Sequence, residues 1–239
     1  MLTHLRRLPL VITFAAALLA GCAPLPRQAF NAASATHIKK VVVTHQQNQD
    51  QYEINIVGHP GMSFGLIGGL VAAADMQAKA TQLTKAIDAS ETRLQERLGQ
   101  TLSARLKVAG YEPDIVVLPK DAKEADALAL AKQRGASDAV LLVNIFGGYW
   151  AAGPSSDYFP RLMAKVKAVD AKTEKVLYED TITYGYAMPQ AQTVHLASEP
   201  TYRFKDMEEL VRDPARTRAG LYAGIEAVAQ QIAADLKRP

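Results

Sequence analysis

The 239-residue chain has one cysteine, Cys22. An intramolecular disulfide, or a site built from several thiolates, is therefore excluded. Histidine is also sparse. His4, His37, His45, His59 and His195 form no H-x-x-x-H or H-x-x-E pair, so a local zinc motif is missing. No Gly-Lys-Ser/Thr follows a glycine loop and no G-x-G-x-x-G run occurs, which removes the common phosphate cradles. No G-x-S-x-G nucleophile elbow is expected. Charge of one sign is scarce, with 27 basic residues against 24 acidic ones. Beyond residue 20 no apolar stretch reaches the roughly 18 residues that argue for a membrane span. Neither a cofactor nor a metal is expected. A site assembled from distant residues stays open.

What is present begins at the N-terminus. Arg6 and Arg7 precede an apolar run from Leu8 to Ala20 that ends in small residues, the plan of a secretory signal peptide. The run is too short for a permanent spanning helix. Its exit, Leu19-Ala20-Gly21-Cys22, resembles the lipobox of bacterial lipoproteins. In that family a diacylglycerol is joined to the cysteine sulfur and the chain is cut just before it. The resemblance implies cleavage between Gly21 and Cys22 and lipid attachment at Cys22. Ala23 follows rather than Asp, which by resemblance to proteobacterial sorting implies the periplasmic face of the outer membrane. Removing residues 1–21 takes Arg6 and Arg7 and no acid. That leaves 25 basic and 24 acidic residues, a net of +1 with no pull toward nucleic acid.

Residues 22–36, rich in Ala, Pro, Asn and Ser, read as a flexible tether with a reach of roughly 45 Å when extended. Residues 37–239 read as one periplasmic α/β domain. His37 to His45, with Val41-Val42-Val43, predicts a buried strand, and Tyr52 to Val57 alternates as a half-buried one. The polar Gln46–Gln51 stretch reads as the turn of a hairpin between them. Leu83, Ile87, Leu94, Leu98, Leu102 and Leu106 form a helical stripe, with a break near Asp88 or Ser90. Ile115–Leu118 reads as a short buried strand. Asp121 and Glu124 form a capping box for a helix that Gly135 stops. Ala139 to Phe146 is the most apolar strand and should be central, with Asn144 bonded to a backbone edge. Two alternating runs around Asp170–Glu174 predict a hairpin, with Lys165 or Lys167 opposite Glu179 and Asp180 at the sheet rim. Ala187 to Phe204 reads as a long loop. Asp213-Pro214 opens a last helix with the stripe Leu221, Ile225, Val228, Ile232 and Leu236.

Two stretches offer contact surfaces. Gly58 to Ala74 carries no charge, and Gly61, Gly65, Gly69 and Ala73 recur at steps of four. Small residues on one helix face let another backbone approach. Packing against the protein's own sheet is the expected reading; a subunit contact and shallow membrane insertion compete with it. Tyr149 and Trp150 lie between Gly147-Gly148 and Gly153-Pro154 and read as a loop over the core. Exposed, they would be a contact hot spot.

Gly135-Ala136-Ser137-Asp138-Ala139-Val140-Leu141-Leu142 and Val169 to Leu177 resemble the central strand and hairpin turn of a group of periplasmic lipoproteins. That group includes the curli-secretion lipoprotein and the lipoprotein activators of penicillin-binding proteins. The glycine segment departs from it and looks more like uncharacterised proteobacterial lipoproteins. The order of the elements predicts a mixed sheet of about six strands, with a C-terminal β-hairpin and packed amphipathic helices, in two or three layers. The resemblance carries no functional residue beyond Cys22. The expected protein is an outer-membrane lipoprotein that binds an envelope protein in assembly or secretion support and is not an enzyme. An oligomeric, membrane-inserting export component is the main competitor, so a homo-oligomer stays open. An envelope enzyme with a non-local site is the third reading.

Overall fold

The computed structural model describes residues 25–120, 122–133, 137–188 and 194–238. The signal peptide, Gly21 and Cys22 lie outside these, as do Asp121 of the expected capping box and Gly135 of the expected helix stop.

A seven-stranded mixed sheet organises the domain. Its strands are β1 (Lys40–Gln46), β2 (Glu53–Ile56), β3 (Glu112–Leu118), β4 (Ala139–Ala151), β5 (Tyr158–Asp170), β6 (Val176–Gly185) and β7 (Val194–Leu196). The order is β3-β1-β4-β5-β6-β7, with β2 also on β4. Apart from a four-residue turn at Ala89–Thr92, the α-helices are α1 (Gly65–Ile87), α2 (Leu94–Val108), α3 (Glu124–Gln133), α4 (Met207–Arg212) and α5 (Pro214–Asp235). α2 and α5 cover one sheet face and build the main core, with Leu98, Leu102, Leu106, Leu221, Ile225 and Val228 fully buried. The short α3 covers part of the other face through Ala127 and Ala131, against Val42, Val116 and Val140. The domain thus has three layers of unequal extent.

β4 is central as its composition predicts, but it is longer than expected. Strand pairing continues through Gly147, Gly148, Tyr149 and Trp150 to Ala151, where a loop was expected. The β5–β6 hairpin is present, and Lys167 pairs with Glu179. Its turn is set by Asp170, whose Oδ1 accepts from Lys172 N (3.0 Å) and Thr173 N (2.7 Å). The long apolar stripe breaks at Asp88 and Arg93, both at positive φ, giving separate helices. Asp213 caps α5 by accepting from Arg216 N at 3.0 Å. β3 is a sheet edge with Val117 exposed, not a buried strand. The expected loop over 187–204 contains β7, parallel to β6.

Two expectations fail in instructive ways. β1 and β2 do not form a hairpin. Both run parallel to β4, β1 along Ala139–Val143 and β2 along Gly148–Ala151. A hairpin reverses direction; here the chain leaves the sheet, passes Asn48 at the N-terminus of α2, and rejoins the same neighbour further along. The tether is not free either. Gln28 makes a two-way backbone pair with Glu179 (2.8 and 2.9 Å), Ala35 and Ile38 are buried, and Phe30 packs on the core. From Gln28 onward these residues belong to the domain.

Candidate functional site

The uncharged segment forms a helical spur. After β2 the chain pairs Gly58 N with Ala152 O, turns through a 3-10 stretch (Pro60–Phe64) and enters α1. α1 then runs back along β2: Ile56 N donates to Met76 Sδ and Tyr52 N to Thr84 Oγ1. The two arms of the spur meet at Gly61 and Gly68, where a Cβ on either would lie within 2.5 Å of the other's carbonyl oxygen. Gly65 supplies a φ of +62 at the bend. Gly65 and Gly69 have no neighbour in reach of a Cβ, so the face used for close packing is Gly61/Gly68/Ala72, not Gly61/Gly65/Gly69. The expected packing of this segment on its own sheet is overturned. Phe64, Leu66 and Ile67 are 75%, 82% and 79% exposed, and Met62, Leu70 and Val71 are exposed too.

The expected absence of a G-x-S-x-G run fails, because Gly61-Met62-Ser63-Phe64-Gly65 has that spacing. The geometry is not that of an elbow. Ser63 lies in the 3-10 turn and has no positive φ. His59 accepts from Gly61 N through Nδ1 (3.1 Å) and meets Asp75 through Nε2 (3.3 Å), so neither ring nitrogen is left to activate a hydroxyl.

The tyrosine–tryptophan pair splits across the sheet because strand side chains alternate. Tyr149 is fully buried under α5, with its hydroxyl donating to Thr217 O (2.9 Å) and its ring edge-on to Phe204. It is a core residue, not a contact. Trp150 points to the opposite face and is half-buried. It lies beside Tyr186 (5.9 Å) and under the Arg161 guanidinium (5.2 Å), and its Nε1 donates to Glu53 Oε2 (3.3 Å). Phe159 extends this aromatic platform to Tyr186. Arg161 is buried and braced by its bond to Tyr186 O (2.9 Å).

Further along the same face, where α3 stops, the sheet carries an open groove of about 320 Å³. Thr44, Asn144, Lys165 and Lys167 form its floor, and Leu25 and Pro26 form one wall. Lys167 is held by Glu124 of α3. Asn144 does not bond a backbone edge directly; its Oδ1 accepts from Gln95 Nε2 (2.9 Å). Gln95 itself was not picked out from the sequence. Platform and groove came together only through strand order, since Trp150, Phe159, Tyr186 and Lys165 share no local motif.

Asp180 also departs from the expected position at the sheet rim. It is 4% exposed and roofed by the N-terminal segment. Burial pushes its carboxyl above the usual aspartate value, against the hydrogen bond from Thr181 N and the charge of Arg27 at 3.5 Å. A carboxyl with a raised folded value binds its proton more tightly when folded. That contribution is complete below the ordinary value near 3.8 and is lost as pH rises through the folded value. Asp180→Asn keeps an acceptor for Thr181 N and has no charge to desolvate. Its melting temperature should exceed the parent's near neutrality, with the gap opening as pH climbs past about 4. A variant that melts lower at pH 7 would show that the Arg27 pair outweighs burial.

The histidines are dispersed. His45 is buried beneath Gly99 with Nδ1 on Gln46 O (2.8 Å), His37 meets Asp170 (3.1 Å) and His195 meets Thr183 (3.2 Å). Burial and the charge of Arg161 lower the His195 value. Among the described residues no three His, Cys, Asp or Glu side chains form a metal-sized group.

The fold defines an α/β domain in which, among the described residues, part of one sheet face is left uncovered. No protein-family model matches the chain, and no curated protein does. Solved structures resemble it distantly. A PelC dodecamer from Paraburkholderia phytofirmans shares 11% identity over 90% of this chain and 96% of its own, with a TM-score of 0.39. A minor lipoprotein from Acinetobacter baumannii shares 13% over 59% and 84%, at 0.36. Lipoprotein GNA1162 from Neisseria meningitidis shares 16% over 82% and 99%, at 0.27.

Proposed function

We propose that this chain is a lipoprotein anchored through Cys22 to the periplasmic face of the outer membrane, and that it acts by binding an envelope protein rather than by catalysis. The observation that carries the binding reading is the open sheet face. Trp150, Tyr186 and Phe159 form a platform fixed by a buried Arg161, beside a groove floored by Asn144, Lys165 and Lys167. Rigid aromatic anchors of this kind are enriched among the residues that dominate protein interfaces. A photo-crosslinker placed at Lys165 should give one discrete envelope-protein adduct in cells, and Trp150→Ala should abolish it. The same group at exposed Val108 should give none. Equal, diffuse adducts from both positions would refute the reading.

The anchor is tested separately. The parent should take up labelled palmitate, and Cys22→Ala should lose all of it. Uptake by the variant, or none by the parent, would refute the lipidation.

A further inference from the structure

We propose that the helical spur, Pro60 to Ala74, inserts into the lipid leaflet that holds the Cys22 acyl chains, so that the domain is attached to the membrane at two points. The inference rests on the lipoprotein reading for the first of these points.

Three observations place the spur there. The first is its projection. Met76 is level with Ile56 near the end of β2, so the eleven helical steps from Met76 back to Gly65 carry α1 roughly 16 Å beyond the level of Ile56. That length is about half of a 30 Å hydrocarbon core, enough for one leaflet and too little to cross. No described helix is long and apolar enough to cross a membrane.

The second is the distribution of polarity along the spur. From Pro60 to Ala74 there is no charged residue. At its base His59, Asp75 and Lys79 form a connected polar cluster. An apolar tip above an ionic collar matches the profile of a leaflet, where side chains capable of bonding water belong at the boundary. Exposed large apolar side chains crowd the tip, and none of the described residues covers them.

The third is where the chain outside the described residues begins. β4 and β6 are each antiparallel to β5, so they run in the same direction. Gln28 pairs antiparallel with Glu179 of β6. Followed backward from Gln28 to Leu25, the chain therefore heads toward the end of the sheet where β4 finishes and the spur starts. Leu25 accordingly lines the groove with Asn144 and Thr181. Cys22 is three residues beyond, a reach of at most about 10 Å. Asn144 is seven residues short of Ala151 along β4, so the chain from Leu25 to Cys22 only heads toward the spur's end, and a lipid on Cys22 draws that end of the sheet, rather than the opposite one, toward the membrane. A tether of 45 Å would not impose this; the docking of Gln28 does.

The single cysteine makes the test direct, because lipidation blocks it and leaves an introduced thiol unique. Leu66→Cys, Leu70→Cys and Val108→Cys, each made in the full lipidated protein and labelled with an environment-sensitive fluorophore, are reconstituted in phosphatidylethanolamine–phosphatidylglycerol vesicles. The expected result is blue-shifted emission at positions 66 and 70, quenched by spin-labelled lipid and not by aqueous iodide, with the opposite at 108. Quenching by iodide at 66 as strong as at 108 would overturn the proposal. So would shielding from both quenchers with efficient crosslinking of two copies through position 66, which would give the spur to a second copy. Palmitate uptake is scored on the same samples. If the parent takes up none, the anchor reading fails by itself. The labelled protein carrying Cys22→Ser is then added to the vesicles from outside, and the same quenching pattern decides the spur alone.

Discussion

Gly148→Val should prevent recovery of a stably folded domain. A Cβ at Gly148 would lie 2.0 Å from Glu53 O and 2.7 Å from Glu53 C and N. These are backbone atoms of the paired strand, so no rotamer change relieves the clash. β2 must leave β4, and with it go the Trp150–Glu53 hydrogen bond and the bonds that seat α1 along β2. Ordinary overpacking costs about 1–3 kcal/mol. Separation of two strands and loss of the helix seat should exceed about 4 kcal/mol, the exceptional end for one substitution and comparable with the whole stability of a marginal domain. Gly147→Ala makes the contrast. Its Cβ would press on the ends of Leu162 and Leu94, which can shift, and would meet Arg161 O at an ordinary 3.9 Å, for a cost of about 1–3 kcal/mol. Urea unfolding of both variants checks the pair. A Gly148→Val protein within about 1 kcal/mol of its parent would show that β2 does not depend on this approach.

Gln95→Leu should be the next most damaging change. β1 stops pairing with β4 at Val143 and β2 begins at Gly148, which leaves a gap in the ladder. The buried amide of Gln95 fills it. Nε2 donates to Ile145 O (2.8 Å), and Oε1 accepts from Ile145 N (3.3 Å). One side chain thus takes the place of a missing strand residue. Leucine is close in size but satisfies neither group. Each buried backbone group left unpaired costs about 1–3 kcal/mol, so the pair should cost about 2–6 kcal/mol. Gln95→Glu separates the two halves: it can still accept from Ile145 N but cannot donate to Ile145 O when ionised. It should also be destabilised. Hydrogen exchange at Ile145 N–H should accelerate in Gln95→Leu. If the leucine variant unfolds at the parent's midpoint with unchanged exchange, water or a neighbouring group satisfies Ile145 instead.

Local patterns were legible wherever one face is buried and the period is clean. The leucine stripe from Leu83 to Leu106 is buried at every expected position, and so is the Leu221–Leu236 stripe. Burial selects apolar residues at helical spacing, and that selection is written into the chain. The same logic misled at Tyr149-Trp150. Gly147 and Gly148 look like a loop signal, yet they are strand residues that admit Leu94, Leu162 and the β2 backbone. A glycine marks close approach as readily as a turn, and only the neighbour distinguishes the two. The spur misled in the opposite direction. Its apolar content predicts burial, but six exposed apolar side chains lie at its end. Hydropathy says that a surface avoids water, not what will cover it.

By itself the sequence determined the lone cysteine at the end of a signal-like run, the α/β class, the central strand, the hairpin turn at Asp170 and the faces of the long helices. Each depends on contacts between residues near in the chain or on a periodicity that survives without partners. The tertiary structure alone decided four other things. These are the parallel, end-to-end placement of β1 and β2 on β4, the role of Gln95 in the gap between them, the docking of Gln28 on β6, and the gathering of Trp150, Tyr186 and Arg161 on one open face. All four depend on strand order, which brings together residues tens of positions apart. No local preference encodes that order, because it is set by which whole arrangement of strands and helices buries the most apolar surface while leaving the fewest backbone groups unpaired.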